Sequence, residues 1–519
     1  MSNSPKVLFI GFDAGEPNVI DQMCEEGKLP ALDAIRKNHL SGAMTSVVGF
    51  GNDVMWSSFN TCVNPAKHGQ YFYRQFDPGT YECPIYHPPK DRPEAFWNAL
   101  SRAKKRTAII DVPYAPLSET INGMHVVEWL AHDRFINRWR GEAHGPDGHS
   151  DHNLPFTAPS DLAAELTSRF GIDRIGQRDK RGRGSSDWKH LRDDLIDSVN
   201  RKADMSCAYL QEADWDLFAV VFQDAHDAGH TLWHLHDTSN VEYDPDWVAE
   251  HGDPVEDIYV AIDRAISRVM ECAGEDAVTI VFAGAGITNN YSANFIIDDV
   301  LQALEHGRRP ARRRVDLLRS LWRMMPDSVR NKYRGVAVDS EQAMLVKDRK
   351  RRKYFALPHT EGSIPIRINV IGREANGVVK PGDEYDEVCE TLMANLRELV
   401  NGDTGRPIVG EVFRTAKRYE GQFVELLPDI FAVWRQEAPL HRVISPKFGE
   451  IKCNYPGFRS GDHSTRCAFY ACGPGIKPGR IDNAVSVCDF GPTIAARLGV
   501  TLPDWVDGKP VAEFGLSQN

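Results

Sequence analysis

Residues 7–15 read Val-Leu-Phe-Ile-Gly-Phe-Asp-Ala-Gly, an apolar run that ends in a short polar loop. The residues that follow, up to Lys37, carry Leu and Ile at the spacing of an amphipathic helix. The same order of apolar run and helical pattern recurs at residues 107–113, 216–222 and 277–282. This repeated order predicts a mainly parallel, doubly wound α/β sheet, in which ligands bind beyond the carboxyl ends of the strands.

Length and charge narrow the class of protein. The chain has 519 residues, so we expect one large core with insertions. Its 61 basic and 73 acidic side chains give a net charge of −12, which disfavours binding to nucleic acid and to anionic membranes. No run approaches the ~20 apolar residues of a membrane-spanning helix, and the first residues lack the pattern of a secretory signal. The expected location is therefore the cytoplasm, where the 10 scattered cysteines would be reduced.

Two segments interrupt the β-then-α order. Residues 135–212 include a stretch dense in charge and are predicted to form a helical cap. Residues 306–353 hold two basic blocks around an amphipathic stretch, which is typical of a solvated insertion or, alternatively, of a lid or docking surface for an anionic partner. The remaining segments, 1–134, 213–305 and 354–519, are expected to form the α/β core.

Polar side chains with metal-binding chemistry follow two of the predicted strands. Asp13 ends the first strand, although an Asp in that place is as often a helix N-cap as a ligand. After residues 216–222, the spacing of His226, His230 and His234 puts them on one face of a helix, where two imidazoles can reach one metal ion. Solvated histidines near a helix start are the alternative. His463, in a late polar loop, is a candidate long-range ligand.

These candidate ligands lie within a series of short motifs. The series resembles that of the alkaline phosphatase superfamily, specifically of its type I phosphodiesterase and nucleotide pyrophosphatase branch. The motifs run over nearly the whole chain at residues 10–13, 29–32, 56–69, 230–233, 461–463, 473–476, 489–493, 498–500 and 507–508. Each motif alone is weak, but their order and spacing together are specific. The resemblance implies an alkaline-phosphatase-like α/β core that carries a helical cap and insertions.

The resemblance also implies a metal site. In similar enzymes, the first site takes an Asp, a His four residues later and the His of Gly-Asp-His, and the matching positions here are His226, His230 and His463. The second site takes the first-strand Asp, the nucleophile and an Asp-His pair, but residues 284–285 read Gly-Ala. We therefore expect one divalent transition metal ion, zinc first and iron or manganese as alternatives, with Asp13 as a further candidate ligand.

The nucleophile position of the family holds Asn52, and an amide cannot serve as that nucleophile. We expect Asn52 to donate a hydrogen bond to a developing oxyanion, and Asp13 to orient or deprotonate the attacking water. Lys67, His68 and Arg459 are candidates to bind a phosphate or sulfate group of the substrate. A purely structural role is the alternative for each of them.

The expected function is that of a metal-dependent hydrolase or transferase of the phosphodiesterase type. It would act on a small phosphoester or related anionic substrate by direct attack, without a covalent phosphoenzyme. One alternative is a catalytically inactive relative with a binding role, which explains the loss of the second metal site more simply. Another is a non-hydrolytic biosynthetic enzyme, whose metal ion would polarise a carbonyl group.

Overall fold

The structure is a computed structural model, which describes residues 6–89, 91–130, 155–173, 175, 185–308, 344–359, 362–453 and 459–515. The chain divides into two compact units. The first unit contains residues 1–70, 87–290 and 457–519, and the second contains residues 71–86 and 291–456.

The described residues form strands and helices that alternate along much of the chain. The strands are β1 (Val7–Asp13), β2 (Leu40–Thr45), β3 (Thr107–Ile110), β4 (Gly123–Val127), β5 (Phe156–Ala158), β6 (Leu217–Phe222), β7 (Val278–Gly284), β8 (Ile287–Asn289), β9 (Tyr354–Ala356), β10 (Ser363–Ile368), β11 (Val400–Asn401), β12 (Val409–Arg414), β13 (Ile430–Trp434), β14 (Arg442–Ser445), β15 (Gly449–Lys452), β16 (Gly461–His463), β17 (Arg466–Cys472) and β18 (Gly479–Ser486). The helices are α1 (Pro17–Glu25), α2 (Pro30–Asn38), α3 (Asn52–Thr61), α4 (Pro65–His68), α5 (Phe96–Arg102), α6 (Leu162–Phe170), α7 (Ser185–Glu212), α8 (Asp224–Leu232), α9 (Pro245–His251), α10 (Pro254–Ala273), α11 (Ile297–His306), α12 (Asp383–Arg397), α13 (Thr415–Arg418) and α14 (Phe490–Arg497). None of these described helices combines the length and the apolar character needed to cross a lipid bilayer.

A nine-stranded sheet forms the centre of the first unit, in the order β18-β2-β17-β7-β1-β6-β3-β4-β5. Strands β7, β1, β6, β3 and β4 are neighbours and run parallel. Strand β17 runs antiparallel to both β7 and β2, and β5 runs antiparallel to β4. The sheet is therefore mixed but mainly parallel, which confirms the predicted fold class.

Helices cover both faces of this sheet, as the side chains of β1 show. All seven residues of β1 are buried. Leu8, Ile10 and Phe12 point to one face and join the main hydrophobic cluster of the unit. Phe9 points to the other face and stacks on Phe59 of α3, with 4.8 Å between ring centroids. Burial on both faces explains why β1 is apolar throughout and lacks alternation.

Part of the predicted cap lies in the core. Leu191, Leu195 and Val199 of α7 are buried in the same cluster as β1, so α7 packs as a core helix of the first unit. An apolar stripe along 28 helical residues needs such a partner to be stable. Residues 135–154, 174 and 176–184 of the predicted cap, and residues 309–343 of the basic insertion, lie outside the described residues.

Residues 354–456 were expected in the main core, but they belong to the second unit. The predicted strands at 366–371 and 429–434 exist as β10 and β13, which pair antiparallel with each other. They form a four-stranded sheet in the order β12-β13-β10-β9 and have a hydrophobic cluster of their own. Periodicity predicted these strands correctly, but their partners depend on long-range contacts. After this segment, β17 returns the chain to the first sheet.

The expectation that every cysteine is reduced is not met. Cys207 of α7 and Cys272 of α10 form a disulfide, with 5.4 Å between their Cα atoms. The two residues are 65 positions apart and come together because α7 packs against α10. The other eight cysteines are free thiols, and seven of them are buried.

Candidate metal centre

The carboxyl ends of three parallel strands bring the predicted site residues to one edge of the sheet. Strand β1 pairs with β7 so that Asp13 lies beside Gly284, and with β6 so that Phe12 lies beside Phe222. Helix α8 begins at Asp224, two residues after β6 ends. Its first turns therefore lie at the crevice edge next to Asp13, as the sequence predicts for a doubly wound sheet.

The late Gly-Asp-His segment reaches the same edge through a short sheet. It forms β16, which pairs antiparallel with β8, and His463 lies beside Ile287. A Cβ atom on Gly461 would lie 2.2 Å from the carbonyl oxygen of Gly229 and 2.8 Å from Cβ of Trp233. Only glycine allows β16 to lie this close to α8. The close approach places His463 next to the histidines of that helix.

The three predicted histidine ligands converge. The ring centroids of His226 and His230 are 4.6 Å apart, and each lies 4.7 Å from the centroid of His463. One nitrogen from each ring falls within a group whose atoms all lie within 4.8 Å of one another. His226 and His230 share a helix face through their i,i+4 spacing, and β16 supplies the third ring.

Hydrogen bonds at Nδ1 fix the tautomer of each ring. Every Nδ1 atom faces an oxygen that can only accept, so Nδ1 carries the proton and Nε2 keeps its lone pair. Asn52 Nδ2 also lies 3.3 Å from Nδ1 of His226, but the carboxylate is nearer, at 2.9 Å, and it decides the tautomer. The acceptors are Asp13 Oδ2 for His226 at 2.9 Å, the Gly461 carbonyl for His230 at 2.9 Å, and the Ala285 carbonyl for His463 at 3.0 Å. Three unprotonated Nε2 atoms therefore face a common point.

This arrangement fits a metal ion. Nε2 of His226 lies 3.3 Å from Nε2 of His463, although two lone pairs at that distance repel each other. Two nitrogen ligands of tetrahedral zinc, each at ~2.0–2.1 Å, lie about 3.3–3.4 Å apart. Nε2 of His230 accepts a hydrogen bond from the Arg459 guanidinium, which has no acceptor, and this confirms the tautomer of His230. A divalent ion would satisfy the lone pairs of His226 and His463, and it would bind Nε2 of His230 in place of the contact with Arg459.

Electrostatics keeps these ligands in the state that a metal ion requires. Burial, followed by the charge of Arg459, lowers the pKa of His230 well below its ordinary value, and burial lowers the pKa of His463 to about 3. Both rings are therefore neutral at pH 7. Burial acts to raise the pKa of Asp13, but the hydrogen bonds from His226 and Trp56 outweigh it, and the pKa is lowered. Asp13 is thus a carboxylate.

Asp13 and Asn52 contact each other next to His226, and their expected roles stay predictions. Asp13 lies beside His226 but is not a member of the group of convergent ligand atoms. Asn52 begins α3, and its Nδ2 donates to Asp13 Oδ1 at 3.0 Å. Its buried Oδ1 has no hydrogen-bond partner among the described residues. Asn52 therefore has an unpartnered acceptor, and Asp13 takes only one of its two N–H groups, so its expected donation to an oxyanion stays a prediction.

Lys67 and His68 were predicted to bind substrate, but their contacts lie elsewhere. Lys67 forms an ion pair with Asp507 and also donates to the backbone. His68 is fully buried, and its ring hydrogen-bonds Ser58 at 3.0 Å. Burial lowers its pKa well below the ordinary value, so the ring is neutral. These contacts favour the structural alternative, whereas Arg459 does lie at the cluster.

Two further side chains differ from their expected roles. His234 was expected on the face of His226, but α8 ends at Leu232, and the His234 ring packs against Trp188 with 4.7 Å between centroids. Trp56, which the sequence left outside the predicted site, is the second: its Nε1 donates to Asp13 Oδ1 at 2.8 Å. Trp56 lies one helical turn after Asn52, and this i,i+4 spacing is the sequence signal that could have placed it at the site.

The position of the second metal site is filled by packing. A Cβ atom on Gly284, where similar enzymes carry an Asp ligand, would lie 2.9 Å from Cys467 Sγ and 3.0 Å from Cys467 Cβ. Ala285, at the position of the His ligand, contributes only its carbonyl, which accepts from His463. The described residues around β7 therefore offer one group of convergent histidines there, and no space for a carboxylate.

The mainly parallel sheet and the site at its carboxyl edge define an α/β protein with a candidate three-histidine metal centre. The family model for type I phosphodiesterase/nucleotide pyrophosphatase matches residues 7–438. The chain therefore belongs to the type I phosphodiesterase/nucleotide pyrophosphatase family.

Solved structures are similar to the chain in fold. The phosphonoacetate hydrolase of Sinorhizobium meliloti 1021, in complex with phosphonoacetate, is 14% identical over 95% of this chain and 96% of that chain, with a TM-score of 0.51. Murine ectonucleotide pyrophosphatase/phosphodiesterase 5 is 14% identical over 99% of this chain and 100% of that chain, with a TM-score of 0.47. A comparison with curated protein sequences gave no match. At this identity the structural likeness describes the fold alone.

Proposed function

We propose that the chain is a mononuclear, metal-dependent phosphoester hydrolase of the phosphodiesterase type. The observation that carries this proposal is the convergence of three unprotonated Nε2 atoms, with 3.3 Å between those of His226 and His463. Zinc suits three imidazoles best, and iron or manganese are the alternatives. The family supplies the substrate class, a small phosphoester or related anion.

The side chains at the site favour a single displacement. A bound divalent ion would supply Lewis acidity, which polarises a substrate oxygen and activates water. Asn52 stands at the nucleophile position and cannot form a covalent phosphoenzyme, so water attacks phosphorus directly and the alcohol leaves. The side chain of His226 is 20% exposed, which leaves the cluster open to a ligand on one side. A single in-line displacement inverts the configuration at phosphorus.

Arg459 is the best-placed residue to bind the substrate anion. Its guanidinium lies against His230, and a guanidinium pairs with two phosphate oxygens in a fixed geometry. The same positive charge helps to keep the histidines neutral, because it lowers the pKa of His230 and His463 after burial has done so. Arg459 therefore attracts the substrate anion and also favours the neutral form of the histidine ligands.

A catalytically inactive binding protein is the second candidate. The packing of Cys467 against Gly284 and the amide at position 52 favour it, because both remove parts of the family's two-metal machinery. This candidate does not explain why Nε2 of His226 and Nε2 of His463 are held 3.3 Å apart beside His230.

Metal analysis and turnover of an aryl phosphodiester test the proposal. The wild type and the control His234→Ala should each bind one equivalent of zinc and hydrolyse bis(p-nitrophenyl) phosphate, whereas His463→Ala should lose both. A chiral phosphorothioate diester should react with inversion. Two bound ions, or retention at phosphorus, would contradict the mechanism, and a folded wild type that binds no metal would support the inactive candidate.

A further inference from the structure

Asp13 is enclosed by hydrogen-bond donors. Its Oδ1 accepts from Trp56 Nε1 at 2.8 Å and from Asn52 Nδ2 at 3.0 Å, and its Oδ2 accepts from His226 Nδ1 at 2.9 Å. The side chain is 1% exposed. Both carboxylate oxygens are therefore committed to side chains of the protein itself.

We propose that Asp13 is a positioning residue, which holds the proton on Nδ1 of His226 so that Nε2 presents its lone pair to the metal ion. This inference rests on the proposed function. A carboxylate that accepts from the far nitrogen of a metal-binding imidazole fixes its tautomer and its orientation. His230 and His463 use backbone carbonyls for this purpose, so His226 is the ligand with an ionised partner.

The contacts argue against the two roles expected from the sequence. As a metal ligand, Asp13 would have to release Oδ2 from His226, and it is not among the convergent ligand atoms. As a base, it would need an oxygen that faces the attacking water, but each oxygen already accepts from a side chain. The donors on Oδ1 also stop the carboxylate from rotating, because both come from the rigid helix α3.

The orientation of the Asn52 amide also depends on the Asp13 carboxylate. If its oxygen faced Asp13, two acceptors would lie 3.0 Å apart, so the ionised carboxylate sets the orientation of the amide. Its Oδ1 then remains unpartnered among the described residues, although it is buried. Asn52 thus helps to orient the Asp13 carboxylate, and through Asp13 it helps to orient the His226 ring.

The test is the variant Asp13→Asn, with Asp263→Asn as the matched control. An amide at position 13 meets three donors with one oxygen, so its NH2 group must face one of them. Two of these donors meet at Oδ1, so the amide oxygen takes that side and the NH2 group faces Nδ1 of His226. The ring proton then moves to Nε2, where it blocks coordination. Asp263 is equally buried, but it accepts from the backbone of Ala31 and Leu32. Its substitution removes a buried charge away from the cluster.

We expect Asp13→Asn to bind Co²⁺ and Zn²⁺ about 10- to 100-fold more weakly than the wild type. Asp263→Asn should bind both ions as the wild type does. Chelator competition gives the affinity, and the visible absorption of bound Co²⁺ reports the ligand geometry. Neither readout depends on turnover, and circular dichroism checks that each variant is folded.

A second measurement on the wild type covers the case in which Asp13→Asn does not fold. In metal-free protein with ¹⁵N-labelled histidine, His226 should show the tautomer with the proton on Nδ1. Equal affinity of wild type and Asp13→Asn, or a His226 ring protonated on Nε2, would overturn the inference while leaving the metal site intact. A wild type that binds neither ion would instead overturn the proposed function.

Discussion

The close packing around Gly284 predicts that a larger side chain at this position destabilises the protein, and two distances show why. Carbon atoms pack best at about 3.5–4.0 Å, but a Cβ on Gly284 would lie 2.9 Å from Cys467 Sγ and 3.0 Å from its Cβ. The backbone cannot retreat, because Gly284 pairs with Asp13 of β1 and its carbonyl accepts from Ala14 at 2.7 Å. Overpacking of this kind costs about 1–3 kcal/mol.

We therefore expect Gly284→Ala to lower the free energy of unfolding by about 1–3 kcal/mol in urea titrations. Cys467→Ala removes the nearer atom, so the penalty of Gly284→Ala should fall by about 1 kcal/mol in that background. Gly410→Ala is the control. It lies on strand β12, where an added Cβ has its nearest neighbours at 3.5 Å, and it should cost little.

The same packing bears on the number of metal ions. Gly284→Asp with Ala285→His restores the residue types of the family's second site, but it should destabilise the protein and still bind one ion. The reasoning would be refuted if Gly284→Ala cost the same with and without Cys467, or if the restored pair bound a second ion at wild-type stability.

Three further predictions concern the buried groups of the first unit. Lys202 and Asp111 form an ion pair at 2.9 Å with both side chains fully buried, so Lys202→Met should cost about 3–5 kcal/mol in urea unfolding, and adding Asp111→Asn should recover part of it. Burial lowers the pKa of His125 from 6.5 to about 3, so its neutral ring stabilises the fold fully above pH 6.5 and progressively less as the pH falls towards 3. Between pH 7 and pH 5 the wild type should lose about 2 kcal/mol more than His125→Leu, and an equal loss in both would contradict the assignment. Alkylation of the unfolded, unreduced protein should label eight of the ten cysteines and leave Cys207 and Cys272, whereas ten labels would mean that the disulfide is absent and that the reduced state expected in a cytoplasm is correct.

Local sequence pattern determined much of the fold. The run at residues 7–15 and its recurrences predict a mainly parallel sheet, because a strand buried on both faces is apolar throughout and the helices between strands have a different period. The pattern also predicts strands near residues 366–371 and 429–434. It does not assign them to a second unit, since strand partners are chosen by contacts far apart in the chain.

The sequence also indicated the three histidines. His226 and His230 follow a buried strand at helical spacing, and the order of the family motifs added His463. The structure brings the three rings together. Spacing is sufficient here because an i,i+4 pair lies on one helix face whatever surrounds it.

Only the tertiary structure decided what the neighbours of these histidines do. The tautomers depend on oxygens of Asp13, Ala285 and Gly461, and two of these are backbone carbonyls that no side-chain motif records. The commitment of Asp13 to His226 and the filling of the second site by Cys467 are likewise contacts between distant segments. Residue type and spacing limit which atoms can act as ligands, but hydrogen-bond direction and close packing exist only after distant parts of the chain have met.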